Sequence, residues 1–205
     1  TITENKMSLA KLFLLSSNKI SQPTDQLAND EKQLIELAMW ASEPIPFDPM
    51  EIALHQTYKD VALNDERPDH KIIHEYPLGG KPPMMTHIFE SKKGNRIIAA
   101  KGAPEALMNV STLTETEKQQ INEAIRILAT DGFRILGVAM SNFTGTDYPK
   151  NQQDLPFEFK GIVAFYDPPK KNIQKVLEDF HAAGIAVKII TGDNAETTTA
   201  IAKQI

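Results

Sequence analysis

Met84-Met85-Thr86-His87-Ile88-Phe89-Glu90, then Ser91-Lys92-Lys93-Gly94-Asn95, then Arg96-Ile97-Ile98-Ala99-Ala100-Lys101-Gly102-Ala103-Pro104-Glu105, is the stretch whose period decides the architecture. Two short apolar-rich runs flank a polar turn that contains glycine, which predicts a β-hairpin. Lys71 to Tyr76 is a third such run just upstream, so the three are expected to be antiparallel neighbours. Ala103-Pro104-Glu105 then starts a short helix, because proline is tolerated in a first helical turn.

Outward from this hairpin the period changes several times. Met7 to Leu15 reads as a strand. Leu27 to Trp40 reads as an amphipathic helix, with Leu34, Leu37, Ala38 and Trp40 apolar and Asp30 and Glu31 near its start. The proline-rich joint Pro44-Ile45-Pro46-Phe47-Asp48-Pro49 leads to a helix over Met50 to Tyr58, with Asp48 as N-cap and Pro49 in its first turn. Downstream, Ser111 or Thr114 opens a longer helix carrying Ile121, Ala124, Ile125 and Leu128 on one face and ending at Asp131-Gly132. Phe133 to Ser141 and Phe157 to Phe165 return to strand on either side of a polar loop. Strands and helices in blocks of this kind predict an α+β layer. After Asp167-Pro168-Pro169-Lys170 the order becomes helix (Asn172 to Ala183), Gly184, an apolar strand (Ile185 to Ile190) and a second helix from about Asn194. A buried strand between two helices predicts a parallel, doubly wound sheet, with the boundary near Tyr166.

Composition excludes several classes. The 205 residues are 41% hydrophobic and 24% charged, which is ordinary globular usage and not that of a disordered chain. With 22 basic against 27 acidic residues the net charge is -5, so no basic excess drives binding to a phosphate backbone and nucleic acid is not an expected partner. With 0 cysteines there is no disulfide framework, thiolate nucleophile or cysteine zinc site. No apolar run approaches the roughly 20 residues needed to cross a bilayer. The start, Thr1-Ile2-Thr3-Glu4-Asn5-Lys6, lacks the pattern of a signal peptide, and the helical pattern from Thr198 to Ile205 has no cap, so an excised piece of a longer chain is expected.

Four places can carry chemistry. In Ile189-Ile190-Thr191-Gly192-Asp193-Asn194 an apolar strand is expected to end where a helix begins, so Thr191 can donate a hydroxyl and Gly192 lets a phosphate approach the backbone; a plain helix cap at Asp193 or Asn194 is the alternative. Lys101-Gly102 places a lysine at a strand end, where it is ordinarily solvated. Asp48 and Glu51 open a helix, where carboxylates are favoured with or without a ligand. Arg134, between Phe133 and Ile135, needs an anionic partner from protein or ligand. His70 and His74 would share a face only on a helix, so no metal site is expected within the chain. Met84 and Met85 are core or pocket lining, and neither a P-loop nor a Gly-x-Ser-x-Gly elbow occurs.

Lys101-Gly102-Ala103-Pro104-Glu105, Asp167-Pro168-Pro169-Lys170 and Thr191-Gly192-Asp193-Asn194 occur in that order at domain-like spacing, and Thr1-Ile2-Thr3-Glu4-Asn5-Lys6-Met7 looks like the end of a phosphorylation motif and its continuation. In this combination the whole chain resembles a P-type cation-transporting ATPase, nearest the calcium-pump-like branch. The resemblance implies an α+β nucleotide-binding domain, an antiparallel sheet flanked by helices, over residues 7–166. Residues 1–6 would hold the end of the phosphorylation motif and the first hinge, and residues 167–205 part of an α/β Rossmann-like phosphorylation domain of haloacid dehalogenase type. It implies hinges near Asn5 and at Asp167, Pro168 and Pro169, where paired prolines limit the swing of two bodies. It also implies a nucleotide site at Glu51, Leu78, Met85, Lys101, Gly102 and Arg134, with Thr191, Gly192 and Asp193 receiving the γ-phosphate in the parent enzyme.

ATP and Mg²⁺ are the cofactors so implied. The partners are the rest of the same polypeptide, comprising membrane, actuator and remaining phosphorylation parts, and the place is the cytoplasmic side of a membrane, the plasma membrane of a bacterium. The acceptor aspartate would precede Thr1, so the chain alone would not turn over. The sequence departs from the family where an aromatic stacking residue is usual, because Leu78 stands there, and where a basic residue is usual, because Pro83 does; Tyr76 or Lys81 would substitute only with a shifted backbone. Loss of a π-face over adenine is expected to weaken binding by roughly 0.5 to 1.5 kcal/mol. Two other readings are a nucleotide-binding regulatory module without transport and a haloacid dehalogenase-type phosphatase with a large cap; Lys101-Gly102-Ala103-Pro104-Glu105 argues against the second.

Overall fold

The computed structural model describes residues 2–23, 26–191 and 195–203. Its centre is one seven-stranded antiparallel sheet in the order β2-β1-β7-β6-β5-β4-β3. The strands are β1 (Ser8–Leu14), β2 (Lys19–Ser21), β3 (His70–Gly79), β4 (Met84–Ser91), β5 (Arg96–Gly102), β6 (Arg134–Ser141) and β7 (Phe157–Tyr166). The short β2 carries no periodic signal in three residues. The hairpin expected between Met84 and Ala100 forms β4 and β5 in continuous register from Met84 opposite Gly102 to Glu90 opposite Arg96.

Helices cover both faces of the sheet. On one side lie α1 (Asn29–Trp40) and α2 (Pro49–Val61), and on the other α3 (Pro104–Val110) and α4 (Glu115–Thr130). Side chains alternate across a strand, so neighbouring residues serve different cores. Leu12 and Leu14 pack with Leu34, Ala38 and Leu54 under α1 and α2, whereas Phe13 packs with Leu107, Ile121 and Leu128 under α3 and α4. In β7 the run Ile162-Val163-Ala164-Phe165 has no exposed residue, because a strand covered on both faces is apolar on both.

The helix ends follow local chemistry. The Asp48 side chain accepts from the Met50 N–H at 2.8 Å, with Pro49 opening α2. Thr114, the second of the two expected openings, caps α4 in a capping box with Glu117. At the other end of α4, Gly132 takes φ +84°, its N–H donates to Ala129 and the Phe133 N–H to Leu128. This left-handed turn stops the helix and aims the chain into β6.

The loop between β6 and β7 is pinned. Gln152 is buried, accepts from the Thr86 hydroxyl at 2.8 Å and donates to the Met84 carbonyl at 3.0 Å. Tyr148 stacks on His74, with ring centroids 4.8 Å apart.

Beyond Tyr166 the structure corrects one expectation. The helices α5 (Ile173–Ala182) and α6 (Ala195–Ala202) form, but residues 185–190 are not a strand, and Ile190 is 96% exposed. A parallel strand needs neighbours for its N–H and C=O groups, and among the described residues every strand belongs to the antiparallel sheet. No parallel sheet therefore forms among the described residues, and α5 has no buried side chain.

The segments entering and leaving the sheet run side by side. Thr3 bridges Pro169 antiparallel, the Glu4 N–H donates to the Pro168 carbonyl, the Lys170 N–H to the Ile2 carbonyl, and the Lys6 N–H to the buried Asp167 carboxylate at 3.2 Å. Asn5, with φ +55°, turns between these bonds.

Candidate functional site

Lys101 is the last residue but one of β5, directly between Met85 of β4 and Val138 of β6. Alternation points it to the face covered by α1 and α2, the face that Ala99 also serves. There it is buried, against the ordinary solvated state of a strand-end lysine. Its ammonium donates to Glu51 Oε1 at 2.5 Å and to the Ser42 hydroxyl at 2.7 Å, and Ser42 in turn donates to the Ala38 carbonyl at 2.9 Å. Burial pushes the lysine below its usual value, while Glu51 opposes the shift.

Glu51 sits in the first turn of α2 and does not cap it. Its Oε1 also accepts from the Glu43 backbone N–H at 3.3 Å, whereas Oε2 is buried and has no hydrogen-bond partner among the described residues. A buried carboxylate oxygen without a donor is costly, and an incoming N–H relieves that cost.

Around this pair lies a cleft of about 320 Å³, lined by Glu43, Phe47, Asp48, Met50, Glu51, Pro77, Leu78, Met85, Lys101, Gly102 and Leu136. Five expected residues, Glu51, Leu78, Met85, Lys101 and Gly102, thus share one site. Gly102 is needed for close approach, because an added Cβ would stand 2.5 Å from the Pro83 carbonyl oxygen and 2.6 Å from Met84 Cα. Leu78 is 65% exposed on the cleft wall. Tyr76 does not replace it, since that ring is buried in the core under α3 and α4 and its hydroxyl donates to the Pro149 carbonyl at 2.5 Å. Pro83 is exposed, and its carbonyl accepts from Ala103 at 2.9 Å.

Arg134 lies elsewhere. It lines a second hollow of about 290 Å³ with Ile2, Thr3, Lys188, Thr191 and Thr198 among others. In β6 it is two residues from Leu136, which lines the cleft, so both side chains leave the same face of the strand about 7 Å apart. Thr191 and Arg134 are therefore brought together, in a hollow separate from the cleft. Gly192 and Asp193 lie outside the described residues.

Sequence reading missed Ser42, Glu43 and Phe47. All three lie in or beside the proline-rich joint, whose prolines deny the segment regular pairing and leave Phe47 82% exposed at the mouth of the cleft. An aromatic residue between two prolines was the available signal.

An antiparallel sheet covered by helices on both faces, with an acid–base pair buried in a cleft at one end, defines the class of domain to which this chain belongs. Residues 45–172 match the P-type ATPase cytoplasmic domain N, and the chain belongs to that family. It is 32% identical over 170 residues to a sodium/potassium exporting P-type ATPase of Schizosaccharomyces pombe, covering 77% of this chain and 16% of the relative. It is 30% identical over 171 residues to a calcium-transporting ATPase of Bacillus subtilis, covering 77% and 19%. Over its whole length it is 26% identical to calcium-transporting ATPase 1 of Saccharomyces cerevisiae, where it covers 26% of the relative. The chain thus spans about a quarter or less of the length of these relatives.

Proposed function

We propose that this chain is the ATP-binding cytosolic part of a cation-transporting P-type ATPase. The observation that carries the reading is the buried, donor-less Glu51 Oε2 at the wall of a cleft whose other polar end is Lys101. An adenine amino group supplies the N–H that Glu51 lacks. Met85, Leu136 and Met50 give the ring an apolar bed, and the Lys101 ammonium lies within reach of the anionic end of the nucleotide.

Leu78 offers dispersion contact but no π-face. Phe47 stands on the same cleft and is the residue we assign to stacking. Arg134, one pleat beyond Leu136 on β6, would carry the terminal phosphates towards the hollow it shares with Thr191, and Thr191 with Gly192 and Asp193 would receive the γ-phosphate. Mg²⁺ would enter with the nucleotide and offset its charge. In the parent enzyme the phosphoryl group would pass to an aspartate outside this chain, and the cycle would drive a cation across the membrane.

The paired segments 2–6 and 166–170 support a two-stranded hinge, with residues 7–166 as the nucleotide domain and 167–205 as the start of the phosphorylation domain. Two adjacent segments held by backbone bonds bend as a unit, which suits the passage of motion between two bodies. Among the described residues no helix is long and apolar enough to cross a membrane, so the membrane part would be supplied by the rest of the polypeptide.

Titration calorimetry with ATP and AMP tests the reading. Saturable binding with a Kd in the high-micromolar to millimolar range, about -4 to -6 kcal/mol, is expected, and Glu51→Gln should abolish it for both nucleotides. Absence of binding by the folded chain at millimolar ATP refutes it.

A further inference from the structure

We propose that Glu43, Glu75 and His87 form a binding site for a divalent transition-metal ion of the zinc class, next to the cleft and sharing Glu43 with its wall. The three ligands come from three elements. Glu43 follows the C-terminus of α1, and Glu75 and His87 are directly opposed cross-strand partners on β3 and β4. Sequence spacing does not reveal such a set, because its members lie 32 and 12 positions apart and meet only through the pairing of the sheet.

The imidazole decides the chemistry. His87 has no exposed surface, and its Nδ1 lies 3.0 Å from the Ser42 carbonyl oxygen. A carbonyl only accepts, so Nδ1 carries the proton and Nε2 of the neutral ring presents a lone pair. Nε2 is itself buried, makes no hydrogen bond among the described residues, and faces Glu43 Oε1 at 3.9 Å. One ligand atom from each of the three residues lies within 4.8 Å of the others. Burial holds the ring below its ordinary range, and the carboxylates of Glu43 and Glu75 do not overcome this.

A lone pair and two carboxylates thus converge with no donor between them among the described residues. Lys101, the nearest buried cation, is committed to Glu51 and Ser42. A metal ion satisfies all three groups at once. Zinc bonds of about 2.0 to 2.2 Å in a tetrahedron bring ligand atoms to roughly 3.4 Å from one another, so the two glutamates need close by only about half an ångström to 1.5 Å. Both carboxylates reach solvent, Glu75 more than Glu43, and can make that adjustment while leaving a fourth position for water. One nitrogen and two carboxylate oxygens suit zinc, cobalt or nickel better than magnesium or calcium, which take oxygen alone. The Ser42 carbonyl supplies the outer contact that fixes ring and tautomer in metal sites.

The test uses the whole chain stripped with a chelator and titrated calorimetrically with Zn²⁺ and, separately, Mg²⁺, with the visible spectrum of the Co²⁺ form as a second readout. One Zn²⁺ per chain is expected, with no comparable Mg²⁺ binding and with Co²⁺ bands typical of a low-coordinate site. Glu75→Gln, at an exposed position of β3, should keep the fold and weaken Zn²⁺ by at least the roughly 10- to 100-fold that loss of an outer-shell partner costs. His87→Gln should remove binding, with folding checked by circular dichroism. Three results overturn the proposal: no stoichiometric Zn²⁺ binding by the folded chain, undiminished binding by Glu75→Gln, or nitrogen NMR showing His87 doubly protonated at neutral pH, which makes a proton the occupant.

Discussion

Replacing Lys101 by methionine keeps the length of the side chain and removes its charge, leaving the Glu51 carboxylate in a site where only a few per cent of its surface meets water. Glu51 Oε1 would retain the Glu43 N–H and Oε2 would still have no donor. Breaking a buried ion pair on one side costs about 3 to 5 kcal/mol, because the surviving charge keeps its desolvation penalty and loses its compensation. The whole stability of a domain is only about 5 to 15 kcal/mol, so Lys101→Met should lose between a fifth and most of it. A melting point lower by roughly 6 to 20 °C follows from about 2 to 4 °C per kcal/mol at this chain length.

The double variant Glu51→Gln with Lys101→Met removes both charges and should return to within about 1 kcal/mol of the original. Ser42 keeps its own bond to Ala38 and the new amide oxygen still accepts from Glu43, so the group newly stranded is a neutral amide N–H, in the place of an oxygen that already lacked a donor. Urea unfolding of the parent, both single variants and the double variant at neutral pH closes the cycle. A loss below about 1 kcal/mol in Lys101→Met would mean that water screens the pair, as it does surface pairs. A double variant as unstable as Lys101→Met would assign the cost to packing instead of charge. Either result refutes the reasoning.

Three further outcomes are expected. Leu78→Phe should tighten AMP binding by about 0.5 to 1.5 kcal/mol, roughly 2- to 13-fold, and Phe47→Ala should weaken it by a similar factor, both read by calorimetry. Gly102→Ala, whose Cβ would overlap Pro83 and Met84 backbone, should lose about 1 to 3 kcal/mol in urea unfolding and weaken nucleotide binding by displacing Lys101. His55 lies below its ordinary value through burial first and Arg67 second, and its Nδ1 is 3.0 Å from the Arg67 guanidinium. The unfolded chain therefore binds a proton that the folded chain does not, and stability should fall as pH drops from about 6.5. In His55→Gln that part of the slope should be absent from unfolding curves taken across the interval.

Apart from the three-residue β2, the elements of the sheet and its helices were legible because each carries a local signal. Thr114 with Glu117, Asp48 before Pro49, and Gly132 after α4 are caps whose geometry depends on a few neighbouring residues. Residues 185–190 misled for the same reason in reverse. An apolar run has strand character, but strand formation is decided by a neighbour, and none of the described strands provides one. At the site, the motif residues Glu51 and Lys101 could be named from resemblance, yet a lysine at a strand end is ordinarily solvated. Its burial depends on the register that sets Lys101 between Met85 and Val138, beneath Ser42. Arg134 was assigned with Glu51 and Lys101, and it opens β6 one pleat beyond Leu136, where its side chain lines the second hollow instead of the cleft.

What the sequence determined by itself was therefore periodicity, caps, turns and membership of the motif set, all properties of residues within a few positions of one another. The tertiary structure alone decided which faces meet: that both sides of the sheet are covered, that Glu43 and Phe47 join the cleft while Ser42 holds Lys101, and that His87 and Glu75 oppose one another. Those facts depend on strand order and register, and a shift of one residue in register moves every side chain of a strand to the other face.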